Sequence, residues 1–188
     1  MPLISTAIKG LDEEIGGGIP PGSIVLLSGT PGTFKSSMAF GILHEAARTR
    51  GAVGLYLLLE QSMGSLLSQQ EKMGRPLDEK VQSRIIVSDV GRIRAAMDKF
   101  SKEDDWMGAL RSYVEYLVEQ RSAELLVIDS LPVLEILSRE TNRREFLFNL
   151  FEWIRGLGTT TFLINEKPSL EVEYGEEEFL SDGVFKLT

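Results

Sequence analysis

The sequence predicts an α/β fold with a mostly parallel central sheet covered on both faces by helices, a three-layer α/β/α arrangement in one domain over residues 1–188. Three observations carry that prediction. The strand-like runs are continuously apolar rather than alternating, as strands buried on both faces are. Segments of helical period separate them, and parallel neighbours need such crossovers. A glycine-rich loop joins the first apolar run to the first helical segment, which is where anions bind in folds of this class.

Residues 1–22 read as a lead-in that ends on Pro20-Pro21-Gly22, and residues 23–165 as the core. Ser23–Ser28 (SIVLLS) is the first buried strand. From Lys35 to Arg48, Ala39, Ile42, Leu43, Ala46 and Ala47 recur at helical spacing. Val53–Leu59 is the second strand, Met63–Met73 an amphipathic helix closed by Gly74, and Arg84–Ser88 a third, short strand. The charged stretch Asp89–Asp105 reads as loop with one helical turn. Trp106, Ala109, Leu110, Tyr113, Val114 and Leu117 form a helix stripe leading to the strand Glu124–Ile128. A helix over Arg139–Arg155 puts Leu147, Leu150, Phe151 and Ile154 on one face, and Thr160–Ile164 is the fifth strand. Residues 166–188 read as an acidic C-terminal segment. No internal repeat, low-complexity tract or interdomain linker interrupts the chain.

At 188 residues, 43% hydrophobic and 26% charged, the composition is that of a globular domain with one sizeable core. The formal charge of −8 repels nucleic acid and anionic membrane and disfavours a large basic docking face. Seven acids (Glu166, Glu171, Glu173, Glu176, Glu177, Glu178 and Asp182) against Lys167 and Lys186 give the end of the chain −5 of that total. With no cysteine, disulfides, thiolate metal sites and thiol catalysis are excluded together. His44 is the single histidine; it lies inside a helix-period segment, so a packing role outweighs a place in a catalytic triad. No apolar run approaches the ~20 residues of a membrane span and no basic-then-apolar leader opens the chain, so a cytoplasmic protein without membrane contact is expected.

Gly29-Thr30-Pro31-Gly32-Thr33-Phe34-Lys35-Ser36 reads as a phosphate-binding loop between strand and helix. Small residues let backbone N–H groups converge on phosphate oxygens at a helix N-terminus, whose dipole favours the anion. Lys35 is the residue to reach the β- and γ-phosphates, Ser36 to ligate magnesium, and Ser37 to complete the nucleotide-binding set. Glycine six residues before Lys-Ser or Lys-Thr occurs by chance in roughly one chain in ten of this length. Gly32 and the strand-loop-helix context make the pattern much more specific. Phe34 stands where the regular motif has glycine. If that position requires a positive φ, strain of about 1–3 kcal/mol follows, and the ring is expected to turn away from phosphate.

In an open parallel sheet, ligands sit beyond the C-terminal ends of the strands. Asp129 follows Leu125-Leu126-Val127-Ile128 and is the candidate magnesium carboxylate; Glu60 follows Leu57-Leu58-Leu59 and is the candidate for orienting an attacking water. Asn165 closes the fifth strand, either as a γ-phosphate sensor or as a strand-end cap. Arg143 and Arg144, at a helix start, read as surface residues. Trp106, Trp153, Phe146, Phe148 and Phe151 read as core or subunit contacts rather than a base-stacking platform.

With these residues in place, the chain resembles a KaiC-type member of the RecA superfamily of P-loop ATPases almost from end to end. The similarity is carried by Ser5-Thr6-Ala7-Ile8-Lys9-Gly10-Leu11-Asp12 with Gly16-Gly17-Gly18-Ile19-Pro20-Pro21-Gly22-Ser23, by Leu57-Leu58-Leu59-Glu60, and by the Walker B-like Val127-Ile128-Asp129-Ser130-Leu131. Arg143–Phe148 and Tyr174–Val184 match two further segments. The resemblance implies a RecA-like core that binds ATP and magnesium between adjacent subunits, usually in a six-membered ring, with Glu60 as catalytic glutamate. This sequence departs from the pattern at Phe34, at Gln61, where the family usually has a second glutamate, and at Thr188, where family domains continue with strands whose Lys and Arg reach the neighbour's nucleotide. The resemblance thus implies a sheet lacking those C-terminal strands, in a truncated form or a minimal variant. The expectation is a slow magnesium-dependent ATPase with a regulatory or signalling role and an unidentified protein partner. The alternatives are a nucleotide-dependent module that does not hydrolyse ATP and, against the charge balance, a recombinase- or helicase-like DNA motor.

Overall fold

The computed structural model describes residues 2–90, 106–167 and 175–188. Its strands are β1 (Ile24–Gly29), β2 (Gly54–Leu58), β3 (Ile85–Asp89), β4 (Leu125–Asp129), β5 (Thr160–Glu166) and β6 (Gly183–Leu187). They form one sheet in the order β3-β2-β4-β5-β1-β6, with every pairing parallel. The helices are α1 (Leu11–Glu14), α2 (Lys35–Arg50), α3 (Met63–Lys72), α4 (Glu79–Gln82), α5 (Trp106–Arg121), α6 (Leu131–Ser138), α7 (Arg143–Gly156) and α8 (Glu176–Leu180).

Because successive side chains of a strand point to opposite faces, each buried strand divides its apolar residues between two cores. Val25, Leu27, Tyr56, Leu58, Leu125, Val127, Phe162 and Ile164 pack on one face with Phe40 and Leu43 of α2, Leu66 of α3 and Val81 of α4. Ile24, Leu26, Leu55, Leu57, Leu126, Ile128 and Leu163 pack on the other with α5, α6 and α7. Each fully buried Leu or Ile contributes about 1.5–3 kcal/mol, so the continuous apolar runs specify a sheet sandwiched between two helical layers. That is the expected three-layer architecture.

Three readings of the sequence need correction. The helix expected over Arg139–Arg155 begins at Arg143, where the Asn142 side chain accepts the Glu145 N–H at 3.3 Å. A separate helix, α6, precedes it, and Arg139 ends that helix in the left-handed region at φ 57°. The run LPVLEILS is apolar nearly throughout, so it shows no helical stripe, and its proline sits in the first turn, where a missing N–H is harmless. Second, the acidic C-terminal segment, to which the sequence assigns no element, holds regular structure among its described residues: Glu166 closes β5, and α8 and β6 add a short helix and an edge strand beside β1. Third, Arg143 is not merely a surface residue, because it pairs at 2.9 Å with both Glu135 and the buried Glu177. The expected loop and helical turn fall mostly on residues 91–105, outside the described residues, as does Tyr174. No helix among the described residues is long and apolar enough to cross a membrane.

Candidate nucleotide site

The phosphate loop leaves β1 at Gly29 and enters α2 at Lys35. A Cβ at Gly29 would overlap the carbonyl oxygen of Leu187 on the adjacent β6, which makes glycine obligatory there. Gly32 adopts φ +86°, again a glycine conformation. Phe34 occupies the left-handed region at φ 61°, ψ 23°, immediately before α2. A phenylalanine there is strained by about 1–2 kcal/mol, and its ring is 63% exposed, turned to solvent. Its carbonyl still accepts the Met38 N–H at 2.9 Å, so the first helical turn is intact. The Thr33 hydroxyl donates to the Thr30 carbonyl at 2.9 Å and tightens the loop.

Lys35 is 3% exposed. Its ammonium donates to the Thr30 carbonyl at 2.8 Å and to Thr33 Oγ1 at 3.4 Å, and stands 3.4 Å from Glu166 Oε1. Ser37, by contrast, is buried against α3, where its hydroxyl accepts the Gln70 amide at 3.4 Å and its carbonyl accepts Arg75 Nη1 at 2.9 Å. That contact braces the loop from behind.

Asp129 ends β4, 7% exposed, on the α2 face. Tyr56 Oη donates to its Oδ2 at 2.7 Å and Gln61 Nε2 at 3.4 Å. Burial pushes the Asp129 carboxyl above its usual range, and the Glu166 charge adds to this. Hydrogen bonds from Tyr56, Ser36 and Gln61 oppose it without reversing it. Burial likewise drives Tyr56 well above its ordinary value, reinforced by the Asp129 charge. Glu60 lies just beyond β2, exposed at its surface. Its carboxyl is raised by partial desolvation, then by the charges of Glu166 and Asp129.

The structure therefore brings Lys35, Ser36, Asp129 and Glu60 together, and adds two residues that the sequence reading passed over. Tyr56 was hidden within an apolar strand. Glu166 was counted in the acidic tail, although it continues β5 and pairs in register with Gly29. Asn165 takes the opposite face of β5, where its amide donates to Glu177 Oε1 at 2.9 Å, away from the loop. His44 packs on the α2 surface near Phe40 and reaches the Pro76 carbonyl at 3.1 Å.

The donors fit magnesium. Ser36 and Asp129 offer hard oxygen atoms, and Ser36 stands close enough to favour the ionised form of Asp129. Among the described residues no three acidic or histidine side chains form a self-sufficient metal cage. An ion held by one or two protein oxygens, with substrate phosphates and water completing its shell, requires no such cage.

The family described as "ATPase: KaiC" matches residues 4–188. The circadian clock oscillator protein KaiC of Rippkaea orientalis is 29% identical over 190 residues, a match covering 98% of this chain but 36% of the relative's length. A UPF0273 protein of Thermotoga maritima is 29% identical over 192 residues, covering 98% of this chain and 78% of its own. Among solved structures, a KaiC-like protein from Pyrococcus horikoshii OT3 superposes with a TM-score of 0.79 at 28% identity, covering 98% of this chain and 80% of that one.

Proposed function

The chain belongs to the KaiC family of ATPases, and from that membership we propose that it is a slow, magnesium-dependent ATPase acting in a homo-oligomeric ring with a regulatory role. The observation that carries the reading is the convergence of Lys35, Asp129 and Glu60 on the α2 face of the sheet, at the C-terminal ends of its strands. The loop N–H groups from Gly32 to Ser36 cradle the phosphates at the start of α2, and Lys35 exchanges its contact with Thr30 for phosphate oxygen. Ser36 and Asp129 hold magnesium, which when bound neutralises charge on the transferring phosphoryl group. Glu60, with its raised proton affinity, orients the attacking water and accepts its proton. Catalysis of this kind is mostly positioning and electrostatics. The reading implies a cytoplasmic protein, where ATP and magnesium are plentiful, with nucleic acid a poor partner for its charge.

Steady-state hydrolysis tests the assignment. Glu60→Gln should lower kcat by roughly a hundredfold or more while ATP still binds, and Lys35→Ala should abolish binding. Hydrolysis unaffected by either change overturns the reading. Light scattering with and without magnesium and ATP tests the ring, for which a hexamer is expected.

Gln61 favours a second reading. Where the family usually has another glutamate, its neutral amide instead meets Asp129, in keeping with a module that binds ATP without hydrolysing it. Retention of unhydrolysed ATP for hours would select that function.

A further inference from the structure

We propose that Glu166 is the residue that makes this site discriminate between magnesium-bound and free ATP; this rests on the nucleotide reading above. Glu166 ends β5 directly beside the first loop residue, in register with Gly29, and the Lys167 N–H donates to the Gly29 carbonyl at 3.1 Å. Backbone bonding thus holds the strand end in place, and the 41%-exposed Glu166 side chain is free of packing duty. That side chain points to Lys35, 3.4 Å away.

Lys35 is the cation paired in this cluster among the described residues, and it is the group intended for phosphate. The Lys167 ammonium is turned away to Glu178, at 2.7 Å. Of the three carboxylates at this end of the sheet, Glu166 is the one that pairs with the ammonium, and its charge is also felt by Glu60 and Asp129. Asp129 has a task in ligating magnesium and Glu60 in orienting water. Glu166 has neither, and any phosphate that reaches Lys35 must share its charge with that carboxylate.

The effect of such a fixed charge depends on the charge of the ligand. Free ATP carries about four negative charges at neutral pH and its magnesium complex about two, so Glu166 opposes the free form about twice as strongly. A doubled repulsion is a squared factor in affinity. Glu166 accordingly weakens binding of both forms, and of metal-free nucleotide far more, so that the loop fills with the complex that can react.

Calorimetric titration of ATP into the full chain, with excess magnesium and separately with EDTA, tests this. Glu166→Gln should tighten binding of the magnesium complex roughly threefold and of free ATP roughly tenfold, narrowing the ratio between them. Glu166→Asp, which keeps the charge, should retain the wild-type ratio, and added salt should shrink the difference between wild type and Glu166→Gln. Equal gains for both nucleotide forms, no gain, or Glu166→Asp behaving like Glu166→Gln would overturn the proposal. Failure of the wild type to bind either form would instead overturn the nucleotide reading itself.

Discussion

On one face of β5, Glu166 pairs with Lys35 and its charge reaches Glu60 and Asp129; on the other, Asn165 and Lys167 meet Glu177 and Glu178, which Arg143 and Lys186 also approach. Both clusters are rich in carboxylates, both lie at the C-terminal end of the same strand, and they have opposite electrostatic characters. In the second cluster each buried acid has a cation. Burial works to raise the Glu177 carboxyl, yet its own backbone N–H, Arg143 and Asn165 outweigh that and hold it below the ordinary range. In the first, Asp129 and Glu60 are both raised. The first cluster completes its own charge balance only in part, leaving Asp129 and Glu60 without a cation of their own among the described residues, whereas the second pairs each buried acid. The contrast is of the kind that separates candidate sites from structural ion pairs.

The contrast can be broken most severely at Arg143. Removing one partner of a buried pair strands the other charge; with the half-exposed Arg143 discounted for solvent, Arg143→Ala should destabilise the protein by about 2 kcal/mol, read by urea denaturation. Its ATP affinity should stay near that of wild type, and a large loss of affinity would mean the two clusters act as one. The deficit should vanish in acid. Glu177 has a lowered folded-state pKa, so its stabilisation is present above the unfolded value of about 4.3 and is lost as pH falls through the folded value.

Asp129 should show the opposite sign. Its folded-state pKa is raised, so the ionised carboxylate subtracts stability above that value and ceases to as pH falls towards about 3.9. Without nucleotide, Asp129→Asn should stabilise the protein at neutral pH by about 1 kcal/mol, with the two denaturation midpoints converging in acid. A destabilised variant at neutral pH would show that the site is as well satisfied as its neighbour. The smallest expected effect is at Phe34. Phe34→Gly relieves about 1–2 kcal/mol of left-handed strain but restores about 0.5–1 kcal/mol of unfolded-chain entropy, so the midpoint should rise only slightly, with ATP binding retained.

The first five strands were legible because burial on both faces writes itself as an unbroken apolar run. The phosphate loop, Asp129 and Glu60 were legible because each abuts such a run. The same property concealed Glu166. In a strand apolar on both sides, parity carries no hydrophobic signal, so nothing in TTFLINE tells which of Asn165 and Glu166 faces the loop; only the packing of Phe162 and Ile164 against the α2 side decides it. β6 was missed for the converse reason: it is an edge strand of mixed composition, largely half-buried. Arg143 and Glu177 lie 34 positions apart, and local sequence does not reveal that they pair.

The strand order also bears on how the protein comes into being. β1 precedes β2, β3 and β4 in the chain, yet its neighbours in the sheet are β5 and β6, which follow them. The loop residue Gly29 is hemmed in by Glu166 and Leu187, so the phosphate loop reaches its working shape only after residues more than a hundred positions later have emerged. Such long-range closure is slow, and it leaves the apolar β1 unpaired while the rest is being made. A loop in its working shape would thus report that β1 has been joined by both β5 and β6.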